Sequence, residues 1–202
     1  MLKAYGFSMS GNCWKVRQVL ELTSTPFTWV EVDSNAGETR TPQYLAKNPN
    51  GKVPMVELDD GQIITESNAI LLHFAEGTPL LPPPGLARTR VVEWLFFEQY
   101  SHEPYIAVAR NWISYRKIRA EKLGELKAIW ENGYKALAVM ERRLASNSWL
   151  AGDRMSVADL ALFAYTQSAE EGEFDLGPYA GIKAWRQRIV ATAGIRPLAK
   201  GT

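Results

Sequence analysis

The chain has 202 residues, of which 46% are hydrophobic, 11% aromatic and 22% charged, a globular composition that excludes disordered and collagen-like chains. Lys plus Arg total 23 against 22 for Asp plus Glu, a net charge of +1 that lacks the basic footprint of a general nucleic-acid binder and suits a small neutral partner. A single cysteine, Cys13, rules out an intrachain disulfide framework and a Cys-rich zinc site, and the histidines His73 and His102 are far apart, so no metal is expected. The start, MLKAYGFSMSGNCWKV, has no signal-peptide pattern, and no apolar run nears the ~20 residues of a membrane span. The expected setting is cytoplasmic and reducing, without a membrane or nucleic-acid partner.

In chain order, LKAYGF (Leu2 to Phe7) has strand character, and WKVRQVLEL (Trp14 to Leu22) sets Val16, Val19 and Leu20 on one helical face. FTWVEV (Phe27 to Val32) is β-branched and aromatic enough for a second strand. Thr41 suits an N-cap, with Pro42 at the first helical position and Asn48-Pro49 ending that helix. Val53 to Thr65 reads as two strands joined at Asp60-Gly61, and SNAILLHFAEG as a helix opening near Ser67 and closing at Gly77. A right-handed crossover makes the first two strands parallel, and the hairpin adds an antiparallel pair. This is a mixed sheet of thioredoxin-like topology.

GTPLLPPPGLA (Gly77 to Ala87) can neither continue a helix nor donate to a sheet ladder. It divides a thioredoxin-like domain at 1–77 from an all-helical domain at 87–202, with 78–86 as the linker. In the second part RVVEWLFFEQY begins one helix, and ELKAIWENGYKALAVMERRL forms an antiparallel neighbour. SVAD (Ser156 to Asp159) has capping-box spacing before a nearly all-apolar, hence buried, helix, and GIKAWRQRIVATAG is a shorter amphipathic one. The expected fold class is an α/β thioredoxin-like N-terminal domain followed by an all-α helical bundle.

The chemistry-bearing residues gather at helix starts. Ser8, Ser10, Asn12 and Cys13 crowd the N-terminus of the first helix, where taken alone they suit capping first and a bound anion second. Ser10-Gly11-Asn12-Cys13 is Ser-x-x-Cys where thioredoxin-like proteins carry Cys-x-x-Cys. The nucleophilic first cysteine is missing, yet a hydroxyl there can donate to a thiolate that a ligand supplies. Val53-Pro54 opens the third strand. Glu66 and Ser67 precede a helix, either as caps or as partners of a ligand's ammonium and carboxylate.

Taken together, SGNCWKV, NPNGKVPMVEL, ESNAILLHFAE and WLAGDRMSVADLALF resemble the cytosolic glutathione S-transferase superfamily, over essentially the whole chain. No tyrosine occupies the first loop, because Tyr5 lies inside the strand, so the pattern is similar to serine-type theta-like or bacterial nu-like members. The resemblance implies glutathione as co-substrate, held as thiolate by Ser10 or Asn12. It implies backbone pairing at Val53 beside a cis Pro54, and Glu66 and Ser67 at the γ-glutamyl end. Thr39, Arg40 and Lys52 are candidates for the glycyl carboxylate. Cys13 falls off the position of the catalytic cysteine in beta-like members, which aligns with Ser10.

A small hydrophobic electrophile would then sit against Phe7, Met9, His102, Tyr105, Ile106 and Arg110, in a conjugation that serves detoxification. The resemblance also implies a two-fold homodimer, in which Glu98 would reach the γ-glutamyl ammonium across the interface. A glutathione-dependent disulfide or peroxide reductase and a non-catalytic glutathione-binding scaffold remain the alternatives.

Overall fold

Along KAYG, Ala4 and Gly6 are buried while Lys3 and Tyr5 point to the other face, so the strand β1 (Lys3–Gly6) sits at the centre of a sheet. Our computed structural model describes residues 1–198; residues 199–202, the end of the expected helical domain, lie outside the described residues. The helix α1 (Gly11–Leu22) follows β1 and crosses to β2 (Thr28–Glu31), which pairs in parallel with Ala4 opposite Trp29. β3 (Met55–Glu57) pairs antiparallel with β1, and β4 (Ile63–Thr65) with β3, giving the four-stranded order β2-β1-β3-β4. Gly61 closes the β3–β4 hairpin at φ +84°, a conformation that favours glycine.

The helices of this half follow their caps. α1 starts earlier than its apolar periodicity suggests, at Gly11, because the Ser10 side chain accepts from the Cys13 N–H at 3.4 Å. α2 (Pro42–Lys47) is capped by Thr41, whose hydroxyl accepts from the Tyr44 N–H at 3.3 Å. α3 (Ser67–Ala75) closes the sheet half, and the proline-rich stretch from Glu76 to Gly85 leads to the helical half. That stretch is docked rather than loose: Leu80 and Leu81 are buried, and the Leu80 carbonyl accepts from the Val157 N–H at 3.0 Å.

Beyond it come α4 (Leu86–Phe97), α5 (Glu103–Arg110), α6 (Leu123–Leu144), α7 (Val157–Thr166) and α8 (Ala180–Val190). The helix expected to begin at RVVEWLFFEQY is interrupted by a π-helical turn at Glu98–His102 before α5 resumes. Pro104 sits in the first turn of α5, lacks an N–H to donate, and so is where the helix widens and changes register. A second π turn, Asn111–Tyr115, ends it. Among the described residues no helix is long and apolar enough to cross a membrane.

One apolar core runs through both halves. α1 lies on α3 and α7, with the Trp14 ring 5.5 Å from Phe163, which in turn stands 5.8 Å from Trp185 of α8. Every residue of α7 is buried. Asp159, fully buried at its start, accepts from the backbone N–H groups of Leu150 and Ser156, from the Ser156 hydroxyl and from Trp185 Nε1, all within 3.1 Å. It therefore ties the loop before α7, the α7 cap and α8 together. Asp159→Ala strands several buried donors at once, and urea unfolding is expected to show a loss of roughly 3 kcal/mol. A loss below about 0.5 kcal/mol, the range of ordinary surface substitutions, would contradict this role.

Candidate active site

The loop between β1 and α1 is held from the helical half. The Met9 carbonyl accepts from Arg110 Nη1 at 3.0 Å and from the Tyr115 hydroxyl at 3.1 Å, while Arg110 Nε pairs with Glu171 at 2.8 Å. A Cβ on Gly11 would stand 2.8 Å from the Tyr165 ring and 2.9 Å from the Ala164 carbonyl, so only glycine lets the first turn of α1 press this closely on α7. The Asn12 N–H, one of the free donors of that first turn, reaches the Tyr165 hydroxyl at 3.3 Å. Burial pushes the Tyr165 phenol well above its ordinary range, so it stays a neutral partner. Ser8 is engaged elsewhere: its N–H and hydroxyl both donate to Glu31, at 2.7 and 2.6 Å.

Two cavities flank the α1 N-terminus and share Val53. The one facing the helical half, of about 140 Å³, is lined by Phe7, Met9 and Ser10 from the first loop and by Ala107, Arg110, Asn111, Tyr115 and Tyr165 from the helices. The other, of about 220 Å³, is lined by Asn12, Lys52, Val53, Pro54, Glu66 and Ser67, with Asn48, Gln99 and Glu103. The Val53-Pro54 bond between the cavities is cis. Glu66, before α3, adopts φ 63°, a left-handed conformation that costs a non-glycine residue about 1–3 kcal/mol and that concentrates at ligand sites.

Asn12 bridges the halves within the second cavity. Its Oδ1 accepts from the Ser67 hydroxyl at 3.3 Å, and its Nδ2 donates to Glu103 Oε1 at 3.3 Å. Burial, reinforced by the neighbouring Glu98 carboxylate, pushes the Glu103 carboxyl above its usual range. Glu103, Gln99 and Asn48 escaped the sequence reading, as did Ala107, Asn111, Tyr115 and Tyr165. Glu103, Ala107, Arg110 and Asn111 share one face of α5 at helical spacing, a pattern visible in the sequence once the register change before Pro104 is known.

That register change moves several expected residues away from the cavities. His102 is fully buried, its Nε2 2.9 Å from Thr166 Oγ1, and burial beside Lys15 drives its pKa down to about 3. Ile106 is fully buried in the core, and Tyr105 lies against Gly133 of α6, so neither lines the cavity that Arg110 does. Thr39 is buried, and the exposed Arg40 donates to the Asn50 carbonyl at 3.4 Å; of the three glycyl-end candidates, Lys52 alone lines either of these two cavities. Glu98 does not project outward. It is fully buried, pairs with Lys15 of the same chain at 3.1 Å and accepts from Asn68 at 3.0 Å.

Cys13 faces the core on α1 and accepts from the Phe7 N–H at 3.3 Å. Burial pushes its thiol up to about 12, against the weaker opposing pull of Ser10 and Phe7. Titration of the native protein with an aromatic disulfide reagent at pH 8 should therefore modify Cys13 more than about a hundredfold slower than titration of the denatured chain. Equal rates would contradict the buried placement.

The family model of the glutathione S-transferase N-terminal domain matches residues 1–76, and that of the C-terminal domain matches residues 106–193. A glutathione S-transferase structure from Xanthobacter autotrophicus Py2 is 55% identical, covers 99% of this chain and 98% of its own, and superposes with a TM-score of 0.96. The structure of Ure2p in complex with glutathione is 25% identical over 96% of this chain and 95% of its own, with a TM-score of 0.85. The disulfide-bond oxidoreductase YfcG of Escherichia coli is 27% identical over 91% of this chain and 87% of its own. With a thioredoxin-like half, a helical half and both domain models matched in order, the chain belongs to the cytosolic glutathione S-transferase superfamily.

Proposed function

We propose that the protein is a glutathione transferase that binds glutathione across the two cavities and activates it as a thiolate at the N-terminus of α1. The observation that carries this reading is the pairing of Ser10 in one cavity with Asn12 in the other, on either side of the shared Val53. The γ-glutamyl end goes to Glu66 and Ser67, with Lys52 toward the glycyl carboxylate, and the cysteinyl part pairs with the Val53 backbone. The thiol proton leaves to solvent. The sulfur then attacks a small electrophile seated among Phe7, Met9, Tyr115 and Arg110, forming a carbon–sulfur bond as the leaving group departs. Ure2p, to which the chain is similar over 96% of its length, is known in complex with glutathione, which supports binding here.

The energies are of the right size. A free thiol near pKa 8.5 is only a few per cent ionised at pH 7, and lowering it by about two units needs ~2.7 kcal/mol of differential stabilisation. A charge-assisted hydrogen bond supplies about 1.5–3 kcal/mol and a helix N-terminus ~0.3–2 kcal/mol. Cys13, held protonated in the core, has no part in this step. Reduction of mixed disulfides by the same thiolate is the second reading, supported by the likeness to YfcG. Ser10→Ala should raise the pKa of the bound thiol by about one unit, read by ultraviolet titration, whereas Glu66→Ala should weaken glutathione binding in calorimetry with little change in that pKa. Turnover of 1-chloro-2,4-dinitrobenzene against that of a glutathione mixed disulfide separates the two activities, and absence of both refutes an enzymatic role.

The same reading includes a homodimer working in the cytoplasm. Phe96 and Tyr100, four residues apart across the end of α4, are 72% and 84% exposed, an arrangement that suits a two-fold contact with a second copy. Light scattering at micromolar concentration should give about twice the 22.7 kDa chain mass, and Phe96→Glu should lower it toward one chain. A monomeric wild type that turns over glutathione would refute the assembly.

A further inference from the structure

The Asn12 side chain touches both halves of the molecule. Its amide is held at both ends: the oxygen accepts from Ser67 of α3 at 3.3 Å, and the nitrogen donates to Glu103 of α5 at 3.3 Å. An asparagine amide can be turned over with little change in shape, and the two orientations offer opposite chemistry to a ligand sulfur. Only one orientation presents N–H donors to a thiolate; the other presents an oxygen that repels it. Ser67 alone leaves both orientations open, because a hydroxyl donates to Oδ1 or accepts from Nδ2 equally well. A carboxylate only accepts, so Glu103 decides between them. The second oxygen of Glu103 is in turn met by Gln99 Nε2 at 3.5 Å, which leaves Oε1 turned to Asn12.

We propose that Glu103 is a positioning residue: by accepting one hydrogen of Asn12 Nδ2 it fixes the amide so that the second hydrogen remains for the glutathione sulfur. This rests on the reading of Asn12 as a thiolate donor. It makes the thiolate site a joint product of the two halves, since Asn12 stands on α1 and Glu103 on the first turn of α5.

The test is a double-mutant cycle read as the pKa of enzyme-bound glutathione by ultraviolet titration, with kcat and KM measured alongside. Asn12→Ala is expected to raise the bound-thiol pKa by about one unit. Glu103→Leu, which keeps the bulk and loses the acceptor, should raise it by a similar amount and lower kcat about tenfold at pH 6.5, and should add nothing in the Asn12→Ala background. Glu103→Gln keeps an acceptor oxygen and is expected to recover at least half of the shift. Circular dichroism and thermal unfolding of each variant check that it is folded, and the Gln variant carries the test if the Leu variant is not. If Asn12→Ala shifts the pKa but Glu103→Leu shifts it equally in both backgrounds, or changes only KM, the positioning role is overturned while the reading of Asn12 stands. If Asn12→Ala leaves the pKa unchanged, that reading itself fails, and a shift in Glu103→Leu then belongs to some other contact.

Discussion

The close seating of the α1 N-terminus on α7 is the constraint on which the rest depends. Without a Cβ at position 11, the Tyr165 ring and the Ala164 carbonyl sit where any other side chain would begin, and the Asn12 N–H reaches the Tyr165 hydroxyl. A helix N-terminus offers its free N–H groups only within the first turn, so a shift of one residue or of 1–2 Å would point them elsewhere. The helical half thus does more than cover the sheet. Through Tyr165, and through Arg110 and Tyr115 on the Met9 carbonyl, it sets where the loop ends and the helix begins.

A buried polar joint reinforces the same contact. Lys15 and Glu98 have no exposed side-chain surface, lie 3.1 Å apart and share Asn68, which also donates to the Leu95 carbonyl at 3.0 Å. Removing one member of such a pair leaves an uncompensated charge in the interior at a cost of about 3–5 kcal/mol, whereas the intact pair adds little net stability. Its effect is geometric: α1, α3 and the end of α4 are held in one arrangement. The buried charge also lies beside the site, where it adds to the larger effect of burial: burial and then Glu98 raise the Glu103 carboxyl, and burial and then Lys15 depress the His102 imidazole.

In the function proposed, the thiol chemistry divides between protein and ligand. The protein's own thiol is on the inner face of α1, where burial outweighs the hydrogen bonds that would favour its charge. The residue facing out at the start of the same helix is a serine, which offers a donor and no nucleophile. A scaffold that elsewhere supplies a reactive cysteine here presents the means to stabilise a thiolate brought by a small molecule, and that is the basis of the function proposed.

Much of this was legible along the chain, because it depends on local rules. Strand alternation, the Thr41-Pro42 helix start, the Asp60-Gly61 turn and the Ser156 cap are decided within a few residues, and each stands as read. So were Ser10, Asn12, Val53, Glu66 and Ser67, since helix starts and a proline-led strand mark themselves. The helical wall of the site was not. Its residues follow from which face of α5 meets the sheet half, and a π turn ahead of Pro104 resets that face, so the fold presents Glu103, Ala107 and Asn111 where His102, Tyr105 and Ile106 were expected. Glu98 shows the same limit: nothing local distinguishes an exposed helical carboxylate from one sealed against a lysine eighty-three positions earlier. Caps, turns and helix starts belong to the sequence by itself, whereas the partner of a buried charge and the facing side of a helix exist only once distant segments have packed together.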